Sequence, residues 1–210
     1  MTEDQKQPRP AERKRKTNII MVGLPGSGKS SIGFILSKFI GFGFIDLDSH
    51  IERRQNKKVR EIFLSAGEQG FRQLEKETLQ SFEGTMSHVI SLGGGALESQ
   101  ESRDLVHSIG SVVWLDTPIS QIAYWLANDE FQFKKRPLLA DLNFQDQDIE
   151  EKVHNRLEKL LDQRIGTYEQ ADMIYSNTFN TADFAARIIK KNLIDRKILS
   201  SGTGNTFTNK

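Results

Sequence analysis

The stretch "NIIMVGLPGSGKSS", residues 18–31, runs from an apolar segment into a glycine-rich turn. Its first part reads as a buried strand. Gly23, Gly28, Lys29 and Ser30 then fit G-x-x-x-x-G-K-[ST], and Ile32, Leu36 and Phe39 follow at helical spacing. Strand, turn and helix form the context this motif requires. Loop N–H groups point inward around phosphates, and the helix start adds free donors and partial positive charge. Gly26, Ser27, Gly28, Lys29, Ser30 and Ser31 are the expected nucleotide contacts. Lys29 is expected to reach the β- and γ-phosphates, and the Ser30 hydroxyl to coordinate Mg²⁺. The expected ligand is a nucleoside triphosphate with Mg²⁺.

Outward from this turn, short apolar runs alternate with helical patterns. Strands are expected at 18–23, 42–48, 88–93, 111–116 and 172–177. Helical periodicity follows the first two and the fourth, and a long helix fits residues 148–165. Such alternation predicts a three-layer α/β fold, with a mainly five-stranded parallel sheet covered on both faces. Residues 128–146 read as a polar loop. Residues 1–16 carry "RKRK" and two prolines without apolar periodicity, which predicts a disordered basic extension. The folded domain is expected over 17–195, and a flexible tail over 196–210.

The composition narrows the function classes. Of 210 residues, 29 are Lys or Arg and 28 are Asp or Glu, a net charge of +1. Such a balance argues against a nucleic-acid binder. The absence of cysteine excludes disulfides and thiolate metal sites and suits a reducing compartment. No apolar run approaches the ~20 residues of a membrane-spanning helix. The polar N-terminus does not read as a signal peptide. A cytoplasmic monomer acting on small molecules is the expectation.

In parallel sheets, ligands bind beyond the carboxyl ends of the strands. Several polar groups fall there. "DLD" places Asp46 and Asp48 at the end of the second strand, where strand parity would point both the same way. One would support the metal and the other would face a phosphate acceptor. "SLGGGA" follows the third strand, and Gly93, Gly94 and Gly95 would leave room for a ligand. Arg72 lies in "GEQGFRQLEKE" with Glu68 and Glu75 one turn away, which also suits a surface charge network. Arg164 and Tyr168 close the long helix. Lys134, Lys135 and Arg136 precede Pro137 in a basic loop that could be a lid.

Taken in order, "GLPGSGKSSIG", "DLD", "GEQGFRQLE", "SLGGGA", "RPLL" and "R…TYEQAD" resemble the shikimate kinase family, from about residue 18 to about residue 193. The resemblance implies a nucleoside-monophosphate-kinase-like P-loop fold with a lid over about 128–146. It implies transfer of the γ-phosphate of ATP to shikimate, within aromatic amino-acid biosynthesis. Carried onto this chain, it assigns catalysis to Asp48, Lys29 and Arg136, and ATP contact also to Arg136. Ser30 and Asp46 would serve Mg²⁺. Asp48, Arg72, Arg164 and Gly93–Gly95 would bind shikimate, the two arginines clamping its carboxylate. The segment before the lid lacks the arginine that commonly stacks on adenine in the family. The loop "SNTFNTAD" lacks the usual proline. Trp125 or Phe131 could stack instead, although Trp125 reads first as a core residue. Gluconate kinase, or a catalytically silent nucleotide-binding module, are the competing readings.

Overall fold

The computed structural model describes residues 18–178 and 181–200. The basic N-terminal extension lies outside the described residues. The strands are β1 (Asn18–Val22), β2 (Gly43–Asp46), β3 (His88–Ser91), β4 (Gly110–Asp116) and β5 (Met173–Ser176). The helices are α1 (Lys29–Ile40), α2 (Leu47–Gln55), α3 (Val59–Gln80), α4 (Gln100–Ile109), α5 (Ile119–Ala127), α6 (Glu130–Lys134), α7 (Ile149–Tyr168) and α8 (Ala182–Asp195). All four strand pairings are parallel, in the order β2-β3-β1-β4-β5.

Side-chain alternation along β1 builds both cores. Ile19 and Met21 join Leu36, Val113 and Ile189 under α1 and α8. Ile20 and Val22 join Ile90, Val112 and Leu157 on the opposite face, where α5 packs on α7. Every residue of β1 is buried, which explains a continuous apolar run rather than an alternating one. The expected three-layer α/β fold is the fold observed.

Three expectations need correction. Asp48 is not on a strand. β2 ends at Asp46, whose side chain caps α2 by accepting from the Ser49 N–H at 3.0 Å, and Asp48 sits in the helix's first turn. Residues 128–146 are not simply a loop. They hold α6 and a 3₁₀ turn (Pro137–Leu139), and Phe133 and Leu139 are buried in the main core. The packed chain also runs past 195: Leu199 is buried beside Leu193 and its N–H donates to the Leu193 carbonyl. Helix α4 has no counterpart in the sequence reading.

The topology positions the site. β1 lies between β3 and β4, so the connections leaving β1 and β3 diverge to opposite faces and open a crevice. The loops after β1, β2 and β3 all meet there.

Candidate active site

Helix α1 begins without a side-chain cap; its N-cap is Gly28, with φ of 94°. Gly23 and Gly26 also have positive φ, 141° and 86°. At Gly23 a β-carbon would meet the Leu115 carbonyl oxygen at 2.6 Å, so backbone angle and space both demand glycine. The Ser27 N–H turns back on the Leu24 carbonyl at 3.2 Å, while the N–H groups of the first turn of α1 are left for a ligand. Thr117 after β4 braces the loop by donating to the Ser27 carbonyl at 3.0 Å, and Asn177 after β5 donates to the Thr117 hydroxyl at 3.1 Å.

Lys29 folds over the loop. Its ammonium donates to the carbonyls of Gly23 at 3.0 Å and Leu24 at 2.8 Å. Burial lowers its pKa to about 8, and Arg136 adds to the effect, while Asp48 and Asp46 oppose it. Those four residues therefore share one electrostatic neighbourhood. The Ser30 hydroxyl donates to Asp46 at 2.5 Å and lies 3.3 Å from the Ser91 hydroxyl. This hydroxyl and carboxylate form an oxygen donor set. No group of three or more His, Cys, Asp or Glu suited to a metal occurs among the described residues. Mg²⁺ commonly takes one or two protein oxygens and fills its shell with water and phosphate, so the pair fits that ion.

The triple glycine behaves differently from its expected role. None of Gly93, Gly94 and Gly95 has a positive φ. Space is what requires them. A β-carbon on Gly93 would lie 2.6 Å from Asp48 Oδ1 and 2.7 Å from Glu75 Oε1. On Gly94 it would meet Arg164 Nη1 at 3.1 Å and Pro25 at 3.2 Å, and on Gly95 it would fall on the Arg72 guanidinium. The room left by the missing side chains is thus filled by the protein's own charged groups. Tyr168, stacked at a tilt on Trp114, donates to the Gly94 carbonyl at 3.4 Å and supports the loop from below.

Asp48 and Glu75 are the two carboxylates of this cluster. Asp48 Oδ1 and Glu75 Oε1 are buried and accept no hydrogen bond among the described residues. Burial, with Asp46 close by, raises the Asp48 pKa to about 6. Burial raises Glu75 to about 7 against the pull of Arg72, which donates to it at 2.7 Å. Both acceptors are held ready for a donor that the protein does not supply.

The arginines converge from two helices. Arg72 of α3 also donates to Glu68 at 2.9 Å and to Glu98 Oε1 at 3.3 Å. Arg164 of α7 donates to the same Glu98 oxygen at 2.6 Å. Arg136, the residue before the 3₁₀ turn, extends half-buried into the field of Asp48 and Asp46. The structure therefore gathers Lys29, Ser30, Asp46, Asp48, Arg72, Gly93–Gly95, Arg136 and Arg164 at one end of the sheet. Trp125 is not a core residue: it is 38% exposed, and Phe131 is more open still, with the Lys135 ammonium 3.8 Å above its ring. The sequence reading left Glu75 as a surface charge and did not single out Glu98, Ser91 or Asn177. Spacing from Arg72 was the available signal for Glu75; the others had none.

The family model described as "Shikimate kinase" matches residues 25–194. The chain belongs to the shikimate kinase family. Its chemistry is therefore that of a kinase using a nucleotide to phosphorylate shikimate. Among shikimate kinases, that of Persephonella marina is 36% identical over 156 residues, covering 74% of this chain and 86% of the relative. That of Chlorobium chlorochromatii is 39% identical over 160 residues, covering 76% and 82%. The solved structure of the shikimate kinase from Acinetobacter baumannii, in complex with shikimate, superposes with a TM-score of 0.74 at 29% identity. It covers 90% of this chain and 100% of that one. The enzyme from Bacteroides thetaiotaomicron gives 0.73 at 26% identity, covering 84% and 98%.

Proposed function

We propose that this chain transfers the γ-phosphate of ATP to the 3-hydroxyl of shikimate, giving shikimate 3-phosphate and ADP. The observation that carries the residue assignments is the convergence of Arg72 and Arg164 on one carboxylate oxygen, that of Glu98, beside Asp48 and the phosphate loop. Two guanidinium groups that meet on a protein carboxylate suit the carboxylate of a small acid.

The roles follow from position. Arg72 and Arg164 clamp the acid group. Asp48 accepts a hydrogen bond from the reacting hydroxyl and takes its proton as the oxygen–phosphorus bond forms. The bond from the γ-phosphorus to the bridging oxygen breaks, and ADP leaves with that electron pair. A base poised near pH 6 suits this transfer at neutral pH. Glu75 orients a neighbouring hydroxyl and fixes Arg72. The loop N–H groups, Lys29 and Arg136 hold the phosphates, and Arg136 excludes water when the lid segment covers the site. Ser30 and Asp46 would hold Mg²⁺ or its waters, and the ion would neutralise charge on the β- and γ-phosphate oxygens.

We take the chain to act as a cytoplasmic monomer on small molecules, and its balanced charge supports the lack of a nucleic-acid partner. Among the described residues no helix is long and apolar enough to cross a membrane. A coupled ADP-release assay tests the reading: shikimate should be turned over with ATP and gluconate should not. ATP binding without transfer to any hydroxylated acid would overturn it.

A further inference from the structure

We infer that Glu98 is a built-in competitor for the substrate's carboxylate and sets the enzyme's affinity and selectivity for acids. The inference rests on the clamp reading above and deepens it.

Donor counting is the first argument. On Arg72, Nη1 is engaged by Glu75, Nη2 is divided between Glu68 and Glu98, and Nε is buried without a hydrogen-bond partner. A guanidinium has five N–H groups in a fixed fork. Nε–H and the second Nη1 hydrogen have no such acceptor, so the Nη2 hydrogen that meets Glu98 is the Arg72 donor that converges with Arg164 on one point. Arg164 commits Nη2 to the same Glu98 oxygen. A second carboxylate cannot take both donors while Glu98 holds them, and two anions on one donor pair would repel. Binding of an acid is therefore an exchange.

The second argument is that Glu98 is built to leave. Its backbone is fixed: its N–H donates to the Gly95 carbonyl at 3.2 Å, and its own carbonyl accepts from Arg103 at 2.9 Å. Arg103 is held in turn by Gln100, and Ala96 and Leu97 are buried. The side chain is 44% exposed. It can rotate to solvent without moving the glycine loop. Until then it keeps the two guanidinium groups together and balanced in charge. A neutral ligand gains nothing by ejecting it, whereas an acid replaces its charge in kind. That difference discriminates for acids at the price of some affinity.

The test is calorimetric titration of the whole chain without nucleotide, using shikimate and, separately, acetate. E98Q keeps the shape and removes the charge. It should bind shikimate ~3- to 30-fold more tightly, as expected for one or two partly exposed ion pairs. Its KM for shikimate should fall with little change in kcat. E98A should in addition bind acetate competitively with shikimate, and the unaltered chain should not. Shikimate binding that is equal or weaker in E98Q, or acetate binding no better in E98A, overturns the inference. Arg164→Ala separates the two readings. If it weakens shikimate binding while E98Q does not strengthen it, the clamp stands and the competitor falls. If it leaves shikimate binding unchanged, the clamp itself falls, and the inference with it.

Discussion

Asp48 Oδ1 and Glu75 Oε1 meet over the Cα of Gly93, at 2.6 and 2.7 Å from the point a β-carbon would occupy. Neither oxygen accepts a hydrogen bond among the described residues. A methyl group cannot share that space with two carboxylates held by α2 and α3. Gly93→Ala should displace both, and misplacing a catalytic group by ~1 Å costs on the order of 100-fold in rate. We expect kcat/KM for shikimate to fall about 100-fold, with fluorescent-nucleotide affinity nearly unchanged because the phosphate loop is separate. Wild-type turnover would show that the carboxylates yield.

Asp48→Asn should abolish turnover and stabilise the free protein. Burial raises the Asp48 pKa from its ordinary value near 3.8 to about 6. The native state then holds its proton more tightly than the unfolded chain does. Stability associated with Asp48 is full below about pH 4 and declines as pH rises to about 6. At pH 7.5 the ionised side chain costs on the order of 3 kcal/mol, at 1.36 kcal/mol per pKa unit. Asparagine removes that cost. Thermal unfolding should show a Tm several degrees higher for the variant at pH 7.5 and no gain at pH 4. Equal Tm values at both pH values would contradict the burial argument.

Activity should be bounded by pH on both sides. Asp48, near 6, and Glu75, near 7, must lose protons to accept from substrate hydroxyls, so kcat/KM for shikimate should rise through that interval. Lys29 loses its charge above about 8, so kcat/KM for ATP should fall there. Steady-state kinetics at constant ionic strength between pH 5 and 9.5 checks both limbs. A flat profile between pH 5.5 and 7.5 would remove Asp48 as the base.

The fold was legible because its signals are local. A buried five-residue run, a spaced glycine turn and repeated strand–helix alternation identify a parallel sheet before any contact is known. The site was legible only where a motif fixed residue types. Asp46 and Asp48 do lie together, but not through strand parity: the Asp46 side chain caps a helix, and the strand ends two residues earlier than expected. The glycines lie beside these groups, yet what fills their space comes from α2, α3 and α7. Glu75 and Glu98 acquire meaning only from partners brought close by tertiary packing, and α4 and α6 were hidden in polar sequence.

Arg164→Ala and Arg72→Ala should both raise KM for shikimate. Loss of an arginine–carboxylate pair in a closed site costs ~2–4 kcal/mol, or roughly 30- to 1,000-fold. The two variants should differ in stability. Among the described residues Arg164 has Glu98 as its ion-pair partner, whereas Arg72 also neutralises Glu75, which is only 2% exposed. Arg72→Ala strands that carboxylate and should lower Tm more. Unchanged KM in either variant would sink the clamp.

Arg136→Ala isolates the transferring phosphate from the acceptor. Arg136 precedes the 3₁₀ turn that Leu139 anchors in the core, and Phe133 anchors α6 on its other side. The guanidinium is therefore carried between two fixed points rather than on a free loop. Burial works against its charge, and Asp48 and Asp46 support it. Its Nη2 donates to Gln132 at 3.4 Å and its buried Nε has no hydrogen-bond partner, so the group is already in place with donor capacity to spare. Removing it should leave KM for shikimate within about twofold, because the acid group is held elsewhere. It should lower kcat about 100- to 1,000-fold, the usual cost of losing one preorganised donor to developing charge. Arg136→Lys should recover only part of this, since an ammonium cannot span two phosphate oxygens as a planar fork does. A variant whose KM for shikimate rises while kcat holds would place Arg136 with the acceptor instead of the phosphates.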